Sequence, residues 1–284
     1  MADTRVGRAS AETIVAGWLG QRIDPRALAL TRIGIGTAAV LTTGEVWLLL
    51  LGLDRPGVLR VPMLPGLGVP GGSGIVVFAA IWFAASLLLA LGLRLCGLIV
   101  AAMAAYLIAA DQQLYSNHLY LLAIMALLTA IAPSDMAWHL PRSNAVWVDS
   151  VPAWGARLLQ IQLTIVYIFA AISKINPYYL SGSVIASDML PALGGALPSW
   201  PWLAVALAYA SIGAELALAI GLWLPRVRWL VVPLGLGLHG AIVATMTGGG
   251  LLGILQLVSF GLLMVAVYPL FFSRPARPRS SPAQ

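Results

Sequence analysis

The sequence predicts an all-α fold, a polytopic transmembrane bundle of about eight helices with both termini in the cytoplasm. The first observation is composition: 60% of the 284 residues are hydrophobic and 9% are charged, whereas a soluble domain carries roughly 25% charged residues. The second is that the apolar runs have helix length and lack the polar alternation of a membrane β-barrel. The third is the placement of arginine, which separates into an inner and an outer set.

Eight apolar runs define the predicted spans, and turn or loop signals separate them. The runs cover residues 27–51, 75–93, 95–110, 118–132, 156–175, 202–224, 229–246 and 251–272. We divide the chain into a cytoplasmic, interfacial amphipathic segment (1–26), a transmembrane domain (27–272) and a disordered cytoplasmic tail (273–284).

Basic residues test the order of these spans. With the N-terminus inside, 12 basic residues lie on the inner side, three lie on the outer side, and Arg32 lies within the first span. This asymmetry follows the positive-inside rule and predicts a multi-pass protein of the cell membrane. The net charge of +6 is spread over loop ends, so we expect no nucleic-acid partner. We interpret Arg32 as a snorkelling residue or as the partner of a buried carboxylate.

Lys174 is the first candidate functional residue. It is the only lysine among the 16 basic residues, and a desolvated amine, unlike a guanidinium, can lose its proton near neutral pH. At helical spacing it closes a narrow polar stripe on an apolar helix. The stripe consists of Gln160, Thr164, Tyr167, Ala171 and Lys174. A second interpretation stays open, in which Lys174 is a snorkelling anchor at a helix end and Tyr167 is a core residue.

A second set of polar residues lies at the outer level of Lys174. A rise of about 1.5 Å per residue puts Lys174 about 25 Å from the inner surface, and His118 opens the fourth span from the outer side. If residues 111–120 are helical, Asp111, Tyr115 and His118 share one face, and Glu45 reaches the same level. We therefore predict a site near the outer face, with a structural hydrogen bond at the helix start as the alternative role of His118.

Glu215 and His239 form a deeper predicted pair. Counting from the inner helix ends places both about 14–16 Å into the membrane on consecutive antiparallel helices. Buried ionisable groups need partners whatever the function, so the sequence favours a structural pair that fixes helix packing over a functional one. The three histidines lie at three different depths, and we predict no metal site. The single cysteine, Cys96, excludes an intramolecular disulfide.

Two segments together resemble a known family. The segment LYSNHLYLL (114–122) is similar to the Asn-His motif that starts a membrane helix in vitamin K-dependent gamma-carboxylases. The segment QIQLTIVYIFAAISKINPYYLSG (160–182) resembles the QxxxVYxxAGxxKLxxxWxxG segment of that family. The wider superfamily is the HTTM domain of bacterial membrane proteins, which the segments around Glu215 and His239 also resemble. The resemblance runs from about residue 27 to residue 272.

The resemblance implies a quinone-driven enzyme. Lys174 matches the position of the family's base and His118 that of its stabilising histidine. The expected cofactor is a reduced quinone, vitamin K hydroquinone or menaquinol, with dioxygen and carbon dioxide as co-substrates in proton abstraction and carboxylation or a related modification. Further residues are expected to line the quinone cavity; they are Tyr167, Asn117, Asp111, Tyr115 and Glu45.

A second hypothesis belongs to a different class. The loops are short and contain no substrate-binding domain, which favours a non-catalytic membrane subunit that assists the maturation or export of a secreted peptide. In this case the partners are a secreted peptide and another membrane protein, besides the lipid bilayer that either hypothesis requires. A transporter is favoured less, because matching halves with broken helices are not visible in the sequence.

Overall fold

The computed structural model describes residues 11–139, 148–188, 200–246, 250–273 and 275, and most of these residues are helical. The predicted all-α fold is thereby confirmed. Residues 1–10 and most of the predicted disordered tail lie outside the described residues. The helices are α1 (Ala11–Gly20), α2 (Pro25–Leu53), α3 (Ser73–Ala90), α4 (Cys96–Ala110), α5 (Asn117–Ile131), α6 (Trp154–Ser173), α7 (Pro177–Leu180), α8 (Ser183–Asp188), α9 (Pro201–Gly221), α10 (Arg228–Thr245), α11 (Gly250–Ala266) and α12 (Tyr268–Phe271).

Each of the eight predicted spans corresponds to a helix. In the described part of the chain, six segments are long and apolar enough to cross a membrane: α2, α3, α6, α9, α10, and α11 continued by α12. Helices α4 and α5 have 15 residues each, about 22 Å of rise, against a hydrocarbon core of about 30 Å. A multi-pass membrane protein therefore follows, while eight crossings and cytoplasmic termini stay predictions.

Local capping explains where several helices begin. The Asp24 side chain accepts a hydrogen bond from the backbone N–H of Arg26, and proline occupies the first position of α2. The Asn176 side chain caps α7 in the same way, with Pro177 as its first residue. This Asn-Pro pair follows the end of α6 closely and leaves Lys174 as the C-terminal cap of α6.

Contacts at the two ends of the bundle join segments that arginine placement predicts to lie on the same side. At the arginine-rich end, strands β1 (Arg22–Ile23) and β2 (Val151–Pro152) pair antiparallel, and Ile23 also bridges to Pro275. At the other end, the backbone N–H of Gln112 donates to the carbonyl of Val61 at 2.8 Å. Segments predicted to share a side thus meet at one end of the bundle.

Of the two sequence-based interpretations of Arg32, the structure contradicts snorkelling and supports an interaction with a carboxylate. Arg32 is fully buried, and its guanidinium donates to the backbone carbonyls of Ser134, Ala137 and Trp138. The side chain therefore does not snorkel. Its guanidinium donates to main-chain oxygens and also interacts electrostatically with the carboxylate of Asp135, whose side chain is 10% exposed. Arg32 fastens the turn after α5 onto α2.

Helix α2 packs mainly against α3 and α11. Helix α6 packs against α9, and α9 packs against α10. The two short helices α7 and α8 follow Lys174 in the chain, in a segment that the sequence predicts to be a loop. These helices, together with α9 and α10, surround the candidate site.

Candidate functional site

Lys174 forms an ion-pair contact with Glu215 of α9. The side-chain nitrogen Nζ is hydrogen-bonded to Glu215 Oε1 and lies 5.6 Å from the centre of the Tyr179 ring in α7. The side chain of Glu215 is 7% exposed and that of Lys174 is 23% exposed. The polar stripe on α6 therefore faces the protein, and its terminal amine has an acidic partner.

This contact corrects the depths counted from the sequence, which placed Glu215 about 10 Å deeper than Lys174. The count assumed that all inner helix ends lie in one plane. Trp223, just after α9, instead donates from Nε1 to Thr164 Oγ1 at 2.8 Å, and Thr164 lies near the middle of α6. Helix α9 is therefore shifted along α6 toward the outer end, which brings Glu215 level with Lys174.

A largely apolar cavity of about 670 Å³ borders the amine of Lys174. This volume lies within the range of roughly 300–1,000 Å³ that is typical of small-molecule sites. Its polar end contains Lys174, Tyr179 and Ser211, and the Tyr179 Oη and Ser211 Oγ atoms lie 2.8 Å apart. The walls come from α8, α9 and α10, where small residues such as Gly237 leave the space between bulkier side chains. The arrangement fits a ligand with a polar head and an apolar body.

Below this pair lies a buried cluster of Tyr167, His239 and Tyr268. Tyr167 Oη is 2.6 Å from Tyr268 Oη and 3.1 Å from His239 Nε2, and all three residues are less than 10% exposed. Both members of the predicted Glu215 and His239 pair are buried, but they do not pair with each other. Glu215 bonds to Lys174 and His239 to Tyr167, because the shift of α9 carries Glu215 toward the outer end.

His118 belongs to a separate cluster. Its Nε2 atom lies 2.6 Å from both carboxylate oxygens of Glu45, and Gln256 of α11 donates to the same carboxylate at 3.3 Å. Glu45 is therefore at the level of His118, as expected from the sequence. Among the described residues, the hydrogen bonds of His118 go to Glu45 and Ser116, and none of them goes to Lys174.

Asp111 and Tyr115 do not share a helical face with His118, contrary to the sequence-based expectation. Ser116 caps α5 by accepting from the N–H of Leu119, and Asp111 and Tyr115 have extended backbones on either side of a short 3₁₀ turn. Asp111 is buried, and its two oxygens accept from the N–H groups of Val61 and Gln113. Tyr115 is half exposed and contacts Asn117 at 3.4 Å. The caps at Asp111 and Ser116 therefore interrupt the continuous helix that the residue spacing predicted.

Comparison with protein families gives one result that covers most of the chain. The family model described as the HTTM domain matches residues 21–275. The chain belongs to the HTTM domain family. Comparison with curated proteins and with solved structures gives no match.

The site of this HTTM domain includes residues that the sequence analysis did not select. Tyr179 and Ser211 lie at the polar end of the cavity, and Tyr268 completes the buried cluster. Tyr179 follows the Asn-Pro cap that begins two residues after Lys174, which is a signal in the sequence. Ser211 and Tyr268 depend on the packing of distant helices. Within the described ranges of the HTTM domain, no group of three or more metal-ligating residues occurs.

Proposed function

We propose that this HTTM protein is a membrane enzyme that uses a reduced quinone, of the vitamin K hydroquinone or menaquinol type. The proposed reaction is proton abstraction coupled to carboxylation or a related modification, with dioxygen and carbon dioxide as the co-substrates that the resemblance implies. The observation that carries the proposal is the 670 Å³ apolar cavity with the only lysine of the chain at its polar end.

The residues around the cavity fit such a ligand. Leu207, Leu234 and Leu238 offer apolar surface to a ring and its hydrocarbon tail, while Tyr179 and Ser211 offer hydroxyl groups to a ring oxygen. A reduced quinone supplies phenolic O–H groups and a ring that can be oxidised. Lys174 is the group that can accept a phenolic proton, and the apolar walls keep bulk water from competing for it.

This proposal gives His118 a different role from the one that the resemblance implies. Its carboxylate partner Glu45 and the amide of Gln256 hold the imidazole in a second polar cluster, apart from the residues that line the cavity. Gln256 lies one helical turn from Phe260, whose ring contacts His239. We propose that Glu45 and Gln256 orient His118 and that Lys174 carries the proton transfer.

The test is binding and oxygen-dependent oxidation of menaquinol and of vitamin K hydroquinone by the purified protein in lipid nanodiscs. We expect Lys174→Ala to lower the oxidation rate at least 100-fold, because general bases contribute roughly 10²–10⁴-fold. The matched control is Ser173→Ala, since Ser173 is exposed and its hydroxyl bonds only to the backbone of Ala170. His118→Ala reports separately on the second cluster.

Unchanged oxidation in Lys174→Ala would overturn the assignment of the base. Absence of both binding and oxidation in the wild-type protein would overturn the enzyme proposal. It would favour the second candidate function, a non-catalytic subunit that assists the maturation or export of a secreted peptide. The observation that favours this candidate is that the longest fully described stretch between helices is the loop 54–72, which is too short to form a substrate-binding domain. Co-purification of a partner membrane protein would support it.

A further inference from the structure

The carboxyl group of Glu215 is hydrogen-bonded less completely than the other two buried carboxyl groups of the described chain. Asp111 accepts backbone N–H donors on both oxygens, and both oxygens of Glu45 lie within 2.6 Å of the His118 ring. Glu215 accepts from Lys174 on Oε1, whereas its Oε2 atom is buried and has no hydrogen-bond partner among the described residues. The three groups are thus directly comparable, and Glu215 is the exception.

This difference bears on charge. An ionised carboxylate has about four acceptor sites and carries half of its charge on each oxygen. A buried oxygen without a hydrogen-bond donor therefore raises the free energy of the anion. A protonated carboxylic acid leaves only a neutral carbonyl-type oxygen without a donor. Glu45 and Asp111 have the donors that an anion requires, and Glu215 has the surroundings that favour the acid.

The surroundings of Lys174 are also compatible with a protonated Glu215 and a neutral amine. Its amine has one hydrogen-bonded acid partner, Glu215, and otherwise faces the ring of Tyr179 and the apolar cavity. A buried ion pair recovers its desolvation cost only when further hydrogen bonds satisfy both ions. Here one oxygen of the acid has no further hydrogen bond, so the contact favours the neutral form of the pair.

We propose that Glu215 holds the proton of the Lys174 and Glu215 pair, so that Lys174 faces the cavity as a neutral amine. One N–H bond of the ammonium breaks, one O–H bond forms on the carboxyl group, and both charges disappear. The lone pair of the amine is then available to a ligand. The consequence for catalysis rests on the proposed function, because it makes Glu215 the residue that prepares the base for a phenolic proton.

Other titratable groups surround the pair on every packed element. Tyr167 lies two turns below Lys174 on α6, Tyr179 lies on α7, His239 lies on α10, and Asp188 at the end of α8 lines the same cavity as Lys174. Within the described residues, the charge nearest to each member of the pair is its own partner. The proton of the pair therefore has two possible sites, Lys174 Nζ and Glu215 Oε1, and the proposal places it on Glu215.

The single lysine makes the test direct. Full-length protein grown with lysine labelled with ¹⁵N at Nζ contains one labelled amine, and solid-state NMR in lipid vesicles distinguishes an amine from an ammonium. We expect the free-amine resonance at neutral pH without any quinone. Infrared spectra of the same vesicles should contain a carboxylic acid C=O band that is lost in Glu215→Gln and kept in Glu45→Gln.

Two substitutions of Lys174 complete the test. Lys174→Arg introduces a permanent cation, so we expect Glu215 to ionise and its acid band to be lost, whereas Lys174→Met should leave the band in place. An ammonium resonance in the wild type, or an acid band that survives Glu215→Gln unchanged, overturns the proposal. These measurements use no turnover, so they separate its failure from failure of the proposed quinol reaction.

Discussion

At the scale of single residues, the buried polar groups are arranged as partners across helices. Tyr167 illustrates this, because its one hydroxyl joins His239 of α10 and Tyr268 of α12 to α6. A hydroxyl both donates and accepts, which allows Tyr167 to satisfy both neighbours at once. The cluster therefore fixes the rotation of three helices about their own axes.

Replacing Tyr167 by phenylalanine tests this arrangement. The substitution leaves two buried polar groups without a partner, which costs about 1–3 kcal/mol each, so we expect a clear decrease in thermal stability in detergent. Tyr120→Phe is the matched control, because Tyr120 is 51% exposed and no described residue accepts its hydroxyl. Equal melting temperatures for the two variants would show that the cluster does not contribute to stability.

At the scale of elements, close helix packing depends on glycine. A methyl group on Gly36 of α2 would lie 2.6 Å from the backbone nitrogen and 2.8 Å from the Cα atom of Ala90, where α3 ends. Backbone atoms of a packed helix cannot move aside as a flexible side chain can. The contact between α2 and α3 thus requires a residue without a side chain at this position.

We expect Gly36→Ala to destabilise the protein by about 1–3 kcal/mol, the usual cost of overpacking. Gly52→Ala is the control within the same helix, because nothing lies within 4 Å of the added methyl group and alanine favours helix by about 0.5–1 kcal/mol over glycine. Chemical unfolding of both variants in mixed micelles measures the difference. A Gly36→Ala variant as stable as the control would contradict the packing described here.

The limits of sequence-based prediction also lie at this scale. The ends of helices follow from local chemistry, and the Asn176-Pro177 pair that closes off α6 was predictable from the sequence alone. The partner of Lys174 was not, because it depends on how far α9 is shifted along α6. The hydrogen bond from Trp223 to Thr164 marks that shift. The two residues are far apart in sequence, and helical periodicity does not predict their contact.

At the scale of the whole molecule, the side of the membrane on which each helix end lies is a prediction. Cys96 is the only cysteine, so a Cys96→Ala background allows single cysteines to be introduced. We expect Leu59→Cys to react with an impermeant maleimide in intact cells, and Leu224→Cys to react only after permeabilisation. Both positions are exposed. The reverse pattern would invert the topology, and reaction of both in intact cells would exclude the predicted crossings between them.

Helix α10, which forms one wall of the cavity, is the least covered of the candidate spans. In its apolar stretch 17% of the residues are buried, against 33–44% in the other five, and the cavity residue Leu234 is 40% exposed. A hydrophobic ligand can therefore arrive by diffusing within the plane of the bilayer. The concentration that then governs binding is the ligand's concentration in the lipid, which is far higher than its concentration in water. Occupancy would then respond to lipid composition as much as to affinity, and a modest Kd would suffice.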